Sequence, residues 1–239
     1  MSDTQTFLGT LAARSQQRAG EPTWIAARRQ AGAARFEAMG FPTRRDEEWK
    51  YTDVRAIAQG NFALAENAEF SQAQAAAITL PLDAYRLTFV DGVFSAALSD
   101  LDALPDSVQV MPLSKALTDN HEAVGGPLGR LTGVDFSTFA ALNTAFMEEG
   151  AVVRIAPGTV AEKPILLHVF SPTGSLWWVH PRTRFEAAGR SEATLIEHYV
   201  GEADAANFTN VVAELMLDRG AILNHYKLQE APIGDLHVA

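Results

Sequence analysis

Three histidines have a spacing that could support metal chemistry. His168, His198 and His225 each follow a short apolar segment in the second half of the chain. Neutral imidazole is a common metal ligand, so equivalent positions on strands stacked ~4.8 Å apart could converge on an ion. Each histidine also lies beside Leu or Tyr, where packing with a single hydrogen bond is the commoner arrangement. We therefore assign no metal ligand and keep a histidine ladder for zinc or iron as an alternative.

Other chemical motifs are incomplete. The glycine-rich stretch from Gly125 to Gly133 lacks the Lys-Ser/Thr pair that grips phosphate and magnesium, which predicts a plain surface loop. The sequence contains no Gly-x-Ser-x-Gly or His-Glu-x-x-His motif. It contains no cysteine, which excludes disulfides, a thiolate nucleophile and any Cys-ligated zinc or iron–sulfur site within this chain. We assign no catalytic residue and no cofactor-binding residue, and expect the chain not to be an enzyme.

Two aromatic segments could face a partner or fill the interior. Trp177 and Trp178 could form an interface patch or plug a loop, and the residue types allow both. Trp49 and Tyr51 follow a charged run at residues 44–48, and we expect them to anchor this segment to the body of the protein. The charged run itself is predicted to be a solvated surface with weak ion pairs.

Composition limits the partner classes. The 239 residues suit one large domain with an appendage, or two domains, and their net charge of −10 disfavours nucleic acid. No segment approaches the ~20 apolar residues of a membrane-spanning helix. Residues Met1 to Phe7 show no secretory signal pattern, which favours the cytoplasm.

Local signals predict the elements of the first 150 residues. Helices are expected before residue 40, with Pro22 opening one and Gly40 ending it. Residues 61–80 are interpreted as a linker. The Asp91-Gly92 dipeptide between apolar runs predicts a β-hairpin with a type I′ turn. A helix carrying Phe139, Leu142 and Phe146 is expected to be capped by Ser137 or Thr138.

After residue 150, short apolar strands alternate with turns. Gly158, Gly189 and Gly220 are thirty-one residues apart in both intervals, and a similar strand ending in His follows each. This repeat predicts stacked coils of a parallel β-solenoid, with a sandwich of repeated strands left open. We divide the chain into a helical region with its linker at 1–80, a mixed hairpin and helix segment at 81–150, and the first solenoid coils at 151–239.

Several short motifs together resemble a known family. They are Arg45–Asp53, Leu142–Phe146, Pro164-Ile165, His180–Arg182, Phe208–Asn210 and Gln229, in family order over nearly the whole chain. On these residues the chain resembles the SufB/SufD family of iron–sulfur cluster assembly proteins. The resemblance implies a mainly β fold with an N-terminal helical region, followed by a right-handed parallel β-helix.

The resemblance also implies a function and its partners. It points to a non-catalytic scaffold in a complex of the SufB–SufC–SufD type, with a SufB-like scaffold and a SufC-like ATPase as partners. This chain would bind no cofactor alone, because the iron–sulfur cluster is assembled with the partners and its thiolate comes mainly from the SufB-like chain. A polysaccharide-acting β-helix enzyme is the other alternative, although Arg182, Arg184 and Glu197 look scattered in the sequence.

Family members are considerably longer than this chain. We therefore expect a solenoid that is incomplete at its C-terminus, in a fragment or a truncated gene product, with the partner contacts made by the absent C-terminal part. The histidine that the family associates with its cluster is not mapped onto His168, His198, His225 or His237. Homodimer formation is left open.

Overall fold

The computed structural model describes residues 3–17, 21–64, 70–71, 75–76, 78–119, 124, 126–171, 177–201 and 206–239. These residues are mainly sheet, with helices concentrated before residue 150. The helices are α1 (Asp3–Gln17), α2 (Thr23–Met39), α3 (Arg55–Ala58), α4 (Leu113–Thr118) and α5 (Thr138–Phe146), with 3₁₀ turns at Glu47–Trp49 and Ala96–Leu98. The strands are β1 (Ala63–Leu64), β2 (Tyr85–Val90), β3 (Val93–Phe94), β4 (Val108–Pro112), β5 (Ala151–Ile155), β6 (Ile165–Ser171), β7 (Trp177–Val179), β8 (Arg182–Ala187), β9 (Glu192–Gly201), β10 (Phe208–Asn210), β11 (Val212–Leu217), β12 (Ile222–Glu230) and β13 (Leu236–Val238).

The strands form three open sheets. Their orders are β3-β2-β6-β9-β12, β4-β5-β8-β11 and β1-β7-β10-β13. Strand pairs are parallel except β2–β3 and β4–β5. From β5 onward, successive strands join the three sheets in rotation. Strands β2 and β4 precede residue 151, and they pair with β6 and β5.

A step of about thirty residues relates neighbouring strands. Ile165 pairs with Leu195 and Leu195 pairs with His225, so each step in this sheet is thirty residues. The sheet containing β5 steps by thirty-two and then thirty residues, because Val152 pairs with Arg184 and Arg184 pairs with Glu214.

The turns between these strands correct the predicted equal glycine spacing. The left-handed position of successive turns is occupied by Gly158 (φ 67°), Arg190 (φ 59°) and Gly220 (φ 76°). Gly189 lies one residue before that position, although its carbonyl accepts a 3.0 Å hydrogen bond from the Gly158 N–H. The turns are therefore stacked as expected. Their left-handed positions, however, are separated by thirty-two and then thirty residues, and not by two intervals of thirty-one.

The apolar core lies between the sheets and beneath the helices. Leu87, Val153, Leu167, Phe185 and Leu195 are among the buried residues packed between the sheets. A second cluster joins the helices to the sheet that contains β7. Trp178 is 2% exposed, and its ring lies 4.3 Å from that of Phe7. The tryptophan pair was predicted either to form an interface patch or to fill the interior, and Trp178 fills the interior.

Several local predictions are confirmed. Asp91 (φ 46°) and Gly92 (φ 80°) both adopt positive φ in the turn between β2 and β3, as a type I′ hairpin requires. The Ser137 hydroxyl caps α5 by accepting a 3.0 Å hydrogen bond from the Ala140 N–H. Helix α2 follows Pro22 and ends at Gly40. Helix α5 carries Phe139, Leu142 and Phe146, as predicted, and ends at Phe146.

The motif at residues 45–53 lies on the surface. The charged run at residues 44–48 is exposed, as predicted. Trp49 packs against Phe139 with ring centroids 5.0 Å apart, which confirms it as an anchor. Tyr51 is 89% exposed, so the same prediction was wrong for Tyr51. A periodic pattern of apolar residues could not predict which of the two is buried, because this segment is not a regular strand or a long helix.

No helix among the described residues combines the length and the apolar character needed to cross a bilayer.

Close packing of α2 against α5 yields a test with an internal control. A Cβ at Gly32 would lie 2.8 Å from both the Ala141 carbonyl oxygen and the Ala145 nitrogen, whereas one at Gly9 in α1 would meet nothing within 4 Å. Gly32→Ala is expected to lower the free energy of unfolding by ~1–3 kcal/mol, because the helices must separate. Gly9→Ala should raise it by ~0.5–1 kcal/mol through helix propensity. Urea unfolding followed by circular dichroism measures both, and equal stabilisation by the two changes would contradict this packing.

Candidate functional site

A buried ion pair connects the glycine-rich loop, helix α5 and one sheet. Arg182 on β8 and Glu214 on β11 have fully buried side chains, and their closest N–O distance is 2.5 Å. The Glu214 carboxylate also accepts hydrogen bonds from the backbone N–H groups of Gly129 (2.8 Å) and Leu131 (3.2 Å). The loop therefore binds a protein carboxylate, which differs from the plain surface loop predicted for it.

Arg182 completes this network on the helix side. Its guanidinium donates to Asn143 Oδ1 and Thr144 Oγ1 of α5, each at 3.1 Å, and to the carbonyl of Thr132 at 2.9 Å. With both charges paired and hydrogen-bonded, the cluster satisfies the conditions under which a buried ion pair is tolerated. Its position away from any open surface supports a structural role.

The surface formed by β11, β12 and β13 is the leading candidate for a functional site. Each of these strands pairs on one side only within the described chain, and all three are the final strands of their sheets. We call this surface the edge layer. Ile222 and Tyr226 on β12 are 52% and 56% exposed. Edge strands with one unpaired side and exposed apolar side chains form a template for further strands.

The inner face of the largest sheet becomes polar at the edge layer. Adjacent positions follow Leu87, Leu167, Glu197 and Lys227 across β2, β6, β9 and β12. The neighbouring row ends at His225 after three apolar or aromatic residues, which are Tyr85, Ile165 and Leu195. One apolar row therefore ends at Glu197 on β9 and the other at His225 on β12, so ionisable groups occupy the inner face beside the edge.

Glu197 organises these polar groups. It is 2% exposed and lies 2.7 Å from His225 Nε2, while its other oxygen accepts a 2.5 Å hydrogen bond from the Tyr199 hydroxyl. Burial raises the pKa of Glu197, but the hydrogen bonds from His225 and Tyr199 outweigh it and leave the pKa below its usual value. Lys227 and His237 contact the Tyr199 ring, at 5.1 and 4.8 Å from its centroid. The cluster is a charged, hydrogen-bonded layer facing the edge.

The three histidines of the predicted ladder do not share one position. His168 pairs with His198, as expected, and their rings are stacked with centroids 4.8 Å apart. Leu228, however, is the residue opposite His198, and His225 lies three positions earlier on the inner face. The connections before β9 and β12 are equally long, so the mismatch arises because His225 lies three residues earlier on β12 than the position opposite His198. A ladder of three histidines is therefore wrong.

The remaining site predictions can be placed on the structure. Across the described ranges, no group of three or more His, Asp or Glu side chains is arranged to hold a metal ion. Arg182, Arg184 and Glu197, which look scattered in the sequence, belong to two separate buried clusters. Sequence reasoning missed both clusters. The thirty-residue period could have revealed the Arg182 cluster, because Arg182 and Glu214 are separated by one step plus two residues.

A cavity of about 450 Å³ lies between the hairpin, α4 and β7. Glu149 lines it, and burial raises the pKa of this carboxyl group to about 7, against opposing hydrogen bonds from Ser114 and the backbone of Phe94. The neighbouring Glu148 instead forms an ion pair with Arg14 at 2.9 Å. Two adjacent carboxyl groups thus have different electrostatic environments.

Comparison with known proteins identifies the family. Residues 5–167 match the family model described as the SufBD protein N-terminal region, which is more than half of the chain. The chain belongs to the SufBD family. This finding confirms the resemblance drawn from the short motifs.

Two of the curated relatives carry names that refer to iron–sulfur cluster assembly. The chain is 28% identical over 232 residues to an iron–sulfur cluster assembly SufBD family protein of Synechocystis sp., covering 92% of this chain and 50% of that protein. It is 29% identical over 192 residues to the iron–sulfur cluster assembly protein SufD of Escherichia coli, covering 79% and 42%. Protein ABCI7, chloroplastic, of Arabidopsis thaliana is 24% identical over 227 residues, covering 88% and 45%. The chain spans about half the length of these relatives.

The buried ion pair gives a stability prediction. Glu214→Gln is expected to lower the free energy of unfolding by ~3–5 kcal/mol, because it leaves the Arg182 charge buried and unpaired. Asp119→Asn, which removes the exposed Lys115–Asp119 pair, is the control and should cost less than ~0.5 kcal/mol. Urea midpoints measure both. Similar midpoints for the two variants would show that the Glu214 network contributes little.

Glu149 gives a pH prediction with a defined sign. Its folded pKa of about 7 exceeds the unfolded value near 4.5, so the folded state holds a proton that the unfolded state has lost between these values. Stability should therefore fall as pH rises from 4.5 to 7. Glu149→Gln should remove this decline and be ~1–2 kcal/mol more stable than the wild type at pH 8, with no gain at pH 4. Glu148→Gln serves as control, and an identical pH profile for wild type and Glu149→Gln would refute the assignment.

Proposed function

We propose that this SufBD chain is a non-catalytic scaffold subunit for iron–sulfur cluster assembly, acting in a complex of the SufB–SufC–SufD type. The observation that carries this proposal is the family match over residues 5–167. The names of two SufBD relatives refer to the same process. The cluster is substrate here, and its thiolate ligands would come from a partner because this chain has no cysteine.

We further propose that the three sheets are the faces of a right-handed parallel β-helix. Strands that visit three sheets in rotation, with a thirty-residue step, support this architecture over a two-sheet sandwich. The right-handed sense follows from the strong preference of parallel crossover connections. The stacked turns at Gly158, Arg190 and Gly220 are the corners that such coils need.

The edge layer is the proposed assembly surface, and its occupant is a set of further parallel strands of the kind found in the unmatched part of a SufBD relative. Exposed Ile222 and Tyr226 would pack beside equivalent side chains, as Ile196 does beside Tyr226. The charged inner layer at Glu197 and Lys227 would be covered at the same time. We propose that contacts with SufB-like and SufC-like partners lie in the part of the relatives that this chain does not match.

Reconstitution tests the proposal. Residues 1–239 alone are expected to retain no SufC-like ATPase in a pull-down and to assemble no iron–sulfur cluster. The unmatched part of the Synechocystis relative, added as a second polypeptide, should protect the backbone amides of β12 from hydrogen exchange and bring the ATPase into the complex. Hydrogen–deuterium exchange with mass spectrometry and pull-down measure these effects.

Two exposed tyrosines supply matched variants for the same experiment. Tyr226→Asp lies in the edge layer and should weaken the complex, whereas Tyr51→Asp lies outside it and should not. Retention of the ATPase by residues 1–239 alone would contradict the proposal. So would formation of the complex without added protection in β11, β12 or β13.

A further inference from the structure

Four polar side chains form a row on the outer face of the largest sheet. The row, which we call the outer polar row, consists of Arg86 on β2, His168 on β6, His198 on β9 and Glu230 on β12. His168 pairs directly with His198, and the two terminal members are offset from them by two residues along their strands. His198 Nε2 lies 2.7 Å from Glu230 Oε2, so the edge end of the row is satisfied.

The other end of the row has unsatisfied nitrogens. Arg86 Nε, both ring nitrogens of His168, and His198 Nδ1 are buried and have no hydrogen-bond partner among the described residues. His168 is 0% exposed. Each buried polar atom left without a partner costs ~1–3 kcal/mol, and such atoms are rare in native proteins. Of these residues, Arg86 is the one that lines a cavity, where an acceptor from a ligand would satisfy its Nε.

A cavity of about 500 Å³ reaches the Arg86 end of this row. Leu80, Leu98 and Phe170 contribute apolar walls. The ring of Phe170 lies 3.7 Å from that of His168, so the row is directly behind the cavity wall. This volume lies within the usual range for small-molecule sites, which combine apolar walls with a few polar groups.

The polar groups of the cavity determine which ligand chemistry fits. The hydroxyl of Thr88 donates to the Leu98 carbonyl at 2.9 Å, and that of Ser99 donates to the Ser95 carbonyl at 2.7 Å. Both hydroxyl protons are therefore used. Arg86 Nε has no hydrogen-bond partner among the described residues, so the guanidinium is left as the cationic donor. A ligand group that only accepts hydrogen bonds, such as a carboxylate, matches it.

A metal ion fits this place less well than an anion. The fixed charge of Arg86 lies on the same face as His168 and would repel a cation. Burial, followed by the charges of His198 and Arg86, lowers the pKa of His168 to about 3, so its ring is neutral at physiological pH. An anion next to Arg86 would instead be stabilised.

We propose that this cavity binds a small carboxylate with an apolar body, placing the carboxylate on Arg86 and the body against Leu98 and Phe170. This ligand site is separate from the edge layer and does not depend on the proposed scaffold function. The apolar walls favour a carboxylate with a hydrocarbon chain over inorganic phosphate.

Isothermal titration of the full chain with octanoate tests the site. Octanoate is expected to bind at one site per chain, with 1-octanol and inorganic phosphate each binding at least about tenfold more weakly because one lacks the charge and the other the apolar body. Arg86→Gln should weaken octanoate binding by about tenfold or more. Arg45→Gln, which changes an exposed arginine elsewhere, is the matched control and should keep the wild-type affinity.

A second variant addresses the cavity without changing charge. Ala76 lines the cavity and is exposed, so Ala76→Phe should block the site while circular dichroism shows an intact fold. Loss of octanoate binding in both Arg86→Gln and Ala76→Phe supports the proposal. Equal affinity for octanoate and 1-octanol, tighter binding of phosphate than of octanoate, or wild-type affinity in Arg86→Gln would each overturn it.

Discussion

Parallel pairing at a step of about thirty residues constrains most of this structure. Because each strand of a sheet lies beside the strand one step later, residues far apart in the sequence become neighbours in fixed columns. The buried Arg182–Glu214 pair exists only through this register, and it in turn holds the glycine-rich loop and α5 against the sheet. The helices are thus tied to the strands by charge as well as by aromatic packing.

The same register determines where a row of apolar side chains becomes a row of polar ones. A row that passes from Leu167 to Glu197 and Lys227 places a charged layer where an apolar one would close the core. Glu197 is stabilised there by Tyr199 and His225. In this member of the SufBD family, such a layer beside three strands that each pair on one side only suits a surface that other strands cover. The outer polar row shows that ionisable residues also occupy the opposite face, under a cavity with its own ligand chemistry.

Local signals predicted local elements well. The Asp91-Gly92 hairpin, the Ser137 cap and the end of α2 at Gly40 each depend on a few adjacent residues, so the sequence was sufficient. The prediction of a histidine ladder was wrong because the equivalence of His198 and His225 depends on the pairing register between β9 and β12, which no adjacent residue specifies. The prediction that Tyr51 is an anchor was wrong because a tyrosine side chain suits both buried and exposed positions.

The sequence by itself determined the thiol-free chemistry, the strand-rich second half with its approximate repeat, and the family through its short motifs. Only the tertiary structure decided which charges are buried together, such as Arg182 with Glu214, and which face of the sheet each histidine occupies. The physical reason is that side-chain direction reverses at every residue of a strand. A shift of one or three residues in pairing therefore moves an ionisable group from one face to the other.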